Sequence, residues 1–86
     1  MRKHPRLVVL GHKIRAARES KGFSQEAFAI EVGLDRSYYG GIERGERNVA
    51  ALNLLRIADT LDIDSGALLP SLHELKLAGR SARSPR

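Results

Sequence analysis

The chain contains no cysteine and no tryptophan. Without thiols there can be no disulfide and no thiolate zinc site. Histidine is sparse, and His4, His12 and His73 are scattered in a way that suggests no metal cluster. Long apolar runs are missing too. Near the N-terminus the longest is Leu7 to Leu10, too short for a membrane span or the core of a signal peptide. No nucleophile is paired with a base, and no loop is built to cradle a phosphate. These absences set the expectations: a cytoplasmic protein, not an enzyme, with no cofactor, no metal, no membrane partner and no evident small-molecule ligand.

What is present is a chain of 86 residues, enough for one small domain. A domain of that size buries about 60–65% of its unfolded surface, so the core is modest. Hydrophobic residues at 42% and charged residues at 29% are ordinary for a globular protein. The charge balance is less ordinary. Fifteen Lys plus Arg against ten Asp plus Glu give a net charge of +5, which favours a polyanionic partner, nucleic acid first and an anionic membrane second.

The stretch from Gln25 to Arg44 organises the rest. Phe28, Ala29 and Val32 fall at i, i+1 and i+4, one inward face of a helix. Gly33 stands where a helix ends by entering the left-handed region, and Leu34 turns back to the core. Asp35 is a good N-cap for a second helix, from about Arg36 to Arg44, in which Tyr39, Ile42 and Glu43 share a face. Ser37, Gly41 and Arg44 share the opposite one. Two short helices joined through a glycine-containing turn make a helix-turn-helix. Ser24 caps the first of the pair, and Gln25 sits at its positive end, a natural place for a phosphate.

Residues 24–45 with their flanks resemble the helix-turn-helix family of phage lambda repressor and Cro. The resemblance rests on Gln25, Ala29, Gly33 and the run Ile42-Glu43-Arg44-Gly45. It continues through Arg15, Arg18, Gly22 and Ser24 on one side and Leu54, Ile57, Ala58 and Leu61 on the other, covering roughly residues 7 to 69. It implies an all-α, compact five-helix DNA-binding domain over residues 7–78, binding double-stranded DNA with the helix from about Arg36 in the major groove.

The same resemblance suggests roles. Arg18 is expected to pair with Glu43 as a structural link between the first helix and the end of the recognition helix. Arg36 and Ser37 would face base edges, where Arg36 can contact guanine in bidentate fashion. Ser24, Gln25, Arg44, Arg47 and Asn48 would hold the DNA backbone, with a solvated loop as the alternative for Arg47. Tyr38 either reaches a phosphate through its hydroxyl or forms a lid on the edge of the core. Tyr39 departs from the family pattern, standing where a branched aliphatic is usual.

Gly40 and Gly41 are an oddity, since each costs about 1 kcal/mol relative to alanine inside a helix. Either they let the backbone lie against the bases, as base-reading positions, or they make no contact. If they serve close approach, replacing both by alanine stabilises the fold and weakens DNA binding.

Outside the motif, Val8 to Lys21 reads as a first helix with Leu10, Ile14 and Ala17 inward, and Phe23 plugs the core after the turn. A fourth helix, about Ala51 to Leu61, turns Ala51, Leu54, Leu55, Ala58 and Leu61 to the core. Its start at Ala50 lacks a capping side chain, and Leu52 sits where a polar residue is usual. Ser65 caps a fifth helix carrying Leu68 and Leu69. After Pro70, Ser71-Leu72-His73-Glu74 has capping-box spacing and starts a short extra helix, ended by Gly79. So short a helix must dock, on its own domain or on a second copy. Leu68, Leu72 and Leu75 are the candidates for a homodimer interface. Residues 1–6 form a basic arm and 79–86 a basic tail, both expected to be disordered. The leading functional expectation is a sequence-specific transcriptional regulator on a pseudo-palindromic operator. Its rivals are an antitoxin-like protein-binding module with weak DNA binding, and a non-specific nucleoid binder.

Overall fold

Pro5 begins the first helix, and it can do so because a proline at the first helical position lacks only an N–H that would be unpaired there anyway. The computed structural model describes residues 3–82, and within them the chain forms five α-helices and one 3₁₀ turn, with no strand among the described residues. They are α1 (Pro5–Ser20), α2 (Gln25–Val32), α3 (Arg36–Glu43), α4 (Ala51–Leu61), the turn Ser65–Ala67, and α5 (Leu72–Ala82).

α1 thus starts earlier than the apolar periodicity suggested. The His4 imidazole accepts from the Arg6 amide at 3.3 Å, and the His4 amide donates to the Gly45 carbonyl at 3.0 Å. Arg6 is therefore helical rather than part of a free arm, and Met1 and Arg2 lie outside the described residues.

The two motif helices match the sequence closely. Ser24 Oγ accepts from the Ala27 amide at 3.1 Å, and Asp35 Oδ2 accepts from the Tyr38 amide at 3.0 Å. Gly33 closes α2 at φ 84°, a left-handed conformation free of steric cost only for glycine. α4 begins at Ala50 with no side-chain cap.

The core collects Ile14, Phe28, Ala29, Val32, Tyr39, Ile42, Ile57, Ala58, Leu61 and Leu68, with Phe23 and Leu34 packed against it. Phe28 sits between Phe23 and Tyr39 in edge-to-face contacts, with centroids 5.2 and 5.3 Å away. On α4 the inward stripe is Leu54, Ile57, Ala58 and Leu61, at i, i+3, i+4 and i+7. Leu55 and Ala51, expected inside, face out instead: Leu55 is 55% exposed, and Leu52, three residues earlier, is 59% exposed.

The C-terminal region differs most from expectation. Ser65–Ala67 is a single 3₁₀ turn rather than a helix. It delivers Leu68 into the domain's own core, fully buried, which removes Leu68 from the candidate dimer surface. The capping box at Ser71 is real: the Ser71 amide donates to Glu74 Oε1 at 2.8 Å, and the Glu74 amide to Ser71 Oγ at 3.1 Å. The helix it starts runs through Gly79 to Ala82, because a glycine inside a helix costs about 1 kcal/mol but does not force an end. α5 docks on α1 of the same chain, where Lys13 Nζ reaches Glu74 Oε1 at 3.3 Å. Leu75 is half-buried there, while Leu72 remains 68% exposed. Residues 83–86 of the expected tail lie outside the described residues.

Candidate nucleic-acid interface

α3 has two unlike faces. Tyr39, Ile42 and Glu43 are buried, while Arg36 and Ser37 in its first turn are exposed. The inward face is held by a cluster of polar side chains around one carboxylate. Arg18 of α1 donates from Nε to Glu43 Oε2 at 2.7 Å and from Nη2 to Oε1 at 3.2 Å. Its third donor, Nη1, reaches the Phe23 carbonyl at 2.7 Å. Gln25 Nε2 donates to Glu43 Oε1 at 3.0 Å, and the Tyr39 hydroxyl donates to Oε2. Arg18 is 7% exposed and Glu43 4%, so this is a buried ion pair. Its carboxylate accepts from four donors, two on each oxygen, which is what makes burial of the charge tolerable. Among the described residues no buried side-chain polar atom is left without a partner.

The electrostatics follow from that geometry. Burial pushes the Glu43 carboxyl up, but the hydrogen bonds from Arg18, Tyr39 and Gln25 together outweigh it and hold it below the usual carboxylate range. The hydrogen bond to Glu43 raises Arg18, against the opposing effect of burial. Tyr39 is pushed strongly up, first by burial and then by its bond to Glu43. Its neutral form is therefore part of the fold. The stability that the raised Tyr39 contributes is fully present below the ordinary tyrosine range near pH ~10 and is lost as pH rises above it. Tyr39→Phe should melt lower at neutral pH, by about 1.5–3 kcal/mol for a hydrogen bond to a charged group. The gap between variant and wild type should narrow above pH ~10, and thermal melts across that range test it.

The expected Arg18–Glu43 pair is present; the roles of Tyr39 and Gln25 in it were not foreseen. Tyr39 lies one helical turn before Glu43, a spacing that brings two side chains together. A tyrosine where an aliphatic is usual was the available signal.

The other candidate residues divide. Arg36 Nη2 lies 3.5 Å from Glu26 Oε1, an exposed pair that solvent screens. Arg44 Nε donates to Glu46 Oε1 at 2.9 Å, and that bond lowers the Glu46 carboxyl. Arg47 and Asn48 are exposed in the loop after α3. Tyr38 is turned onto its own domain: its hydroxyl lies 3.4 Å from the Asn48 carbonyl and 3.4 Å from Asn53 Nδ2. The ring packs against the edge of the core, as a lid would.

Gly40 and Gly41, expected as base-reading positions, are not bare in this structure. Both are buried. A Cβ built on Gly40 would lie 2.9 Å from Arg44 Nη1 and 3.4 Å from Gln25 Oε1, and one on Gly41 would lie 2.6 Å from Arg47 Cγ. Side chains of the protein, not open space, cover the two glycines.

A small helical domain with a capped helix-turn-helix and an exposed, arginine-bearing first turn on its second motif helix defines a DNA-binding protein. The Helix-turn-helix family model matches residues 14–68, and the chain belongs to that family as a DNA-binding transcriptional regulator. It is similar to control protein C.MunI of a Mycoplasma species, 40% identical over 65 residues, 74% of this chain and 88% of that protein. Among solved structures it resembles the restriction-modification controller protein C.AhdI from Aeromonas hydrophila. That chain is 51% identical, with a TM-score of 0.71, covering 73% of this chain and 96% of that one. The hypothetical transcription factor NHTF from Neisseria superposes with a TM-score of 0.73 at 38% identity, over 84% of each chain. No described helix is long and apolar enough to cross a membrane.

Proposed function

We propose that this chain is a sequence-specific regulator that controls restriction-modification genes, binding a pseudo-palindromic operator as a homodimer with α3 in the major groove. The observation that carries this reading is the 51% identity to C.AhdI over 96% of that controller's length. In it Arg36 and Ser37, exposed at the start of α3, read base edges. The N-terminus of α2, with Ser24 and Gln25, takes a phosphate, and Arg44, Arg47 and Asn48 hold the backbone. The homodimer is supported by apolar side chains that the domain leaves uncovered, Leu52 and Leu55 on α4 and Leu72 at the start of α5.

Selection from a random duplex pool at near-physiological salt tests the reading. It should enrich an inverted repeat with half-site centres about one helical turn apart. Arg36→Ala should then relax preference at one base per half-site, at a cost of about 1–3 kcal/mol, while Gln25→Ala weakens all sequences alike. A uniform loss with Arg36→Ala would overturn the assignment of Arg36. A pool with no enriched motif would favour the protein-binding module instead.

A further inference from the structure

Two adjacent glycines in the middle of an eight-residue helix are unfavourable for that helix, so something outside helix propensity keeps the space above them clear. The chain after α3 occupies it. Gly45 takes φ 76° and reverses the backbone, and the loop folds back so that the Gly41 carbonyl accepts the Glu46 amide at 2.9 Å and the Arg47 amide at 3.3 Å. This return lays the Arg47 stem across Gly41. A Cβ there would meet Cγ at 2.6 Å, and Cβ and Cδ at 3.6 Å. One residue earlier, the Arg44 guanidinium lies over Gly40, and its Nε donates to Glu46 Oε1 at 2.9 Å.

From this we infer that Gly40 and Gly41 are positioning residues: their missing side chains form the seat on which Arg44 and Arg47 lie, and through it they set how firmly the protein grips the DNA backbone. The proposal deepens the DNA-binding reading above and rests on it. The glycines touch no base. They hold two long, flexible cations in a preformed arrangement, so less side-chain freedom is lost when phosphates arrive. The two positions are not equivalent. At Gly40 a methyl group meets the far end of Arg44, which can swing aside. At Gly41 it meets the middle of the Arg47 stem, so the stem itself must shift rather than only its end.

The test is a double-mutant cycle between Gly41→Ala and Arg47→Ala, read in three ways: melting temperature, affinity for the selected operator, and the Arg47 Nε–H NMR signal of the free protein. With Arg47 cut back to its Cβ, the new methyl lies at an ordinary 3.6 Å, so the double variant should fold normally. Gly41→Ala alone should shift the Arg47 signal, weaken operator binding about ten-fold and reduce the log-affinity slope against log salt by about one. In the Arg47→Ala background it should change affinity hardly at all. An equal loss in both backgrounds, or unfolding in both, would overturn the seat. So would an Arg47 signal that Gly41→Ala leaves unmoved. Failure of the DNA reading is separable: wild-type protein would then show no preferred operator, while the NMR signal of the free protein still reports the seat.

Discussion

Arg18→Met should destabilise the domain by about 3–5 kcal/mol, the range for removing one partner of a buried ion pair. At about 4–8 °C per kcal/mol in a domain of this size, the melting temperature falls by at least about 12 °C. Against a total stability of about 4–13 kcal/mol expected from about 0.05–0.15 kcal/mol per residue, that can leave the chain unfolded at 37 °C. The cause is what remains rather than what is lost. Glu43 would keep the Tyr39 and Gln25 donors, but its charge would have no counter-ion at 4% exposure. Two controls separate this cause from simple loss of packing. Adding Glu43→Leu and Tyr39→Phe to Arg18→Met removes the orphan charge and its remaining buried donor, and should recover much of the loss. Acidification should also narrow the gap to wild type. The stabilisation tied to the lowered Glu43 carboxyl is present above the usual carboxylate range and disappears as pH falls below it. A variant that melts within a few degrees of wild type at neutral pH would show that the pair contributes little.

The second large effect comes from a position with no side chain. At Gly11, α1 crosses the end of α3 with backbone against backbone. A Cβ there would lie 2.5 Å from the Ile42 carbonyl oxygen and 2.7 Å from the Glu43 carbonyl carbon, and closer still to the Glu43 carbonyl oxygen. Main-chain atoms cannot rotate away, so Gly11→Ala must push α1 off α3, the two helices that Arg18 and Glu43 join. We expect a loss at or beyond the upper end of the ~1–3 kcal/mol usual for overpacking, despite the ~1 kcal/mol that alanine gains in helix propensity. Gly66→Ala is the matched control, because a Cβ there meets nothing within 4 Å; it should be near neutral. Urea unfolding of both variants decides the point. If Gly11→Ala is as stable as wild type, the close crossing does not constrain the fold.

These two positions show what the sequence revealed and where it fell silent. The Arg18–Glu43 pair was accessible because the resemblance carries both residues at a fixed spacing. The caps at Ser24, Asp35 and Ser71 were legible because a short polar side chain ahead of a periodic apolar run has a local mechanism. Gly11 had no such mechanism: its role depends on how two helices cross, and no periodicity within α1 reports that. Three residues before the buried Ile14, it shares the inward stripe, and a glycine inside such a stripe was the only hint. Ser65 failed for the opposite reason. A good capping residue followed by leucines suggests a helix, but the chain needed only one tight turn to bring Leu68 into the core. Leu52, Leu54 and Leu55 stand so close together on α4 that the phase of the stripe is ambiguous from the sequence; burial of Ile57 settles it and turns Leu55 outward. Gly40 and Gly41 were correctly singled out as costly for the helix. Their covering by Arg44 and Arg47 depends on the path of a loop that local pattern does not encode.

The division of α3 between a buried face and an exposed first turn has a consequence for descent. Tyr39, Ile42 and Glu43 answer to the core, whereas Arg36 and Ser37 stand free of it. Substitutions at 36 and 37 therefore pass selection for folding almost unseen, and surface changes away from caps and cores typically alter stability by within about 0.5 kcal/mol. With Arg36 and Ser37 reading bases as proposed, two descendants of a gene duplication can drift to different operators while retaining the same scaffold. Relatives that share the Arg18, Tyr39 and Glu43 cluster but differ at 36 and 37 would be expected to share a fold without sharing targets.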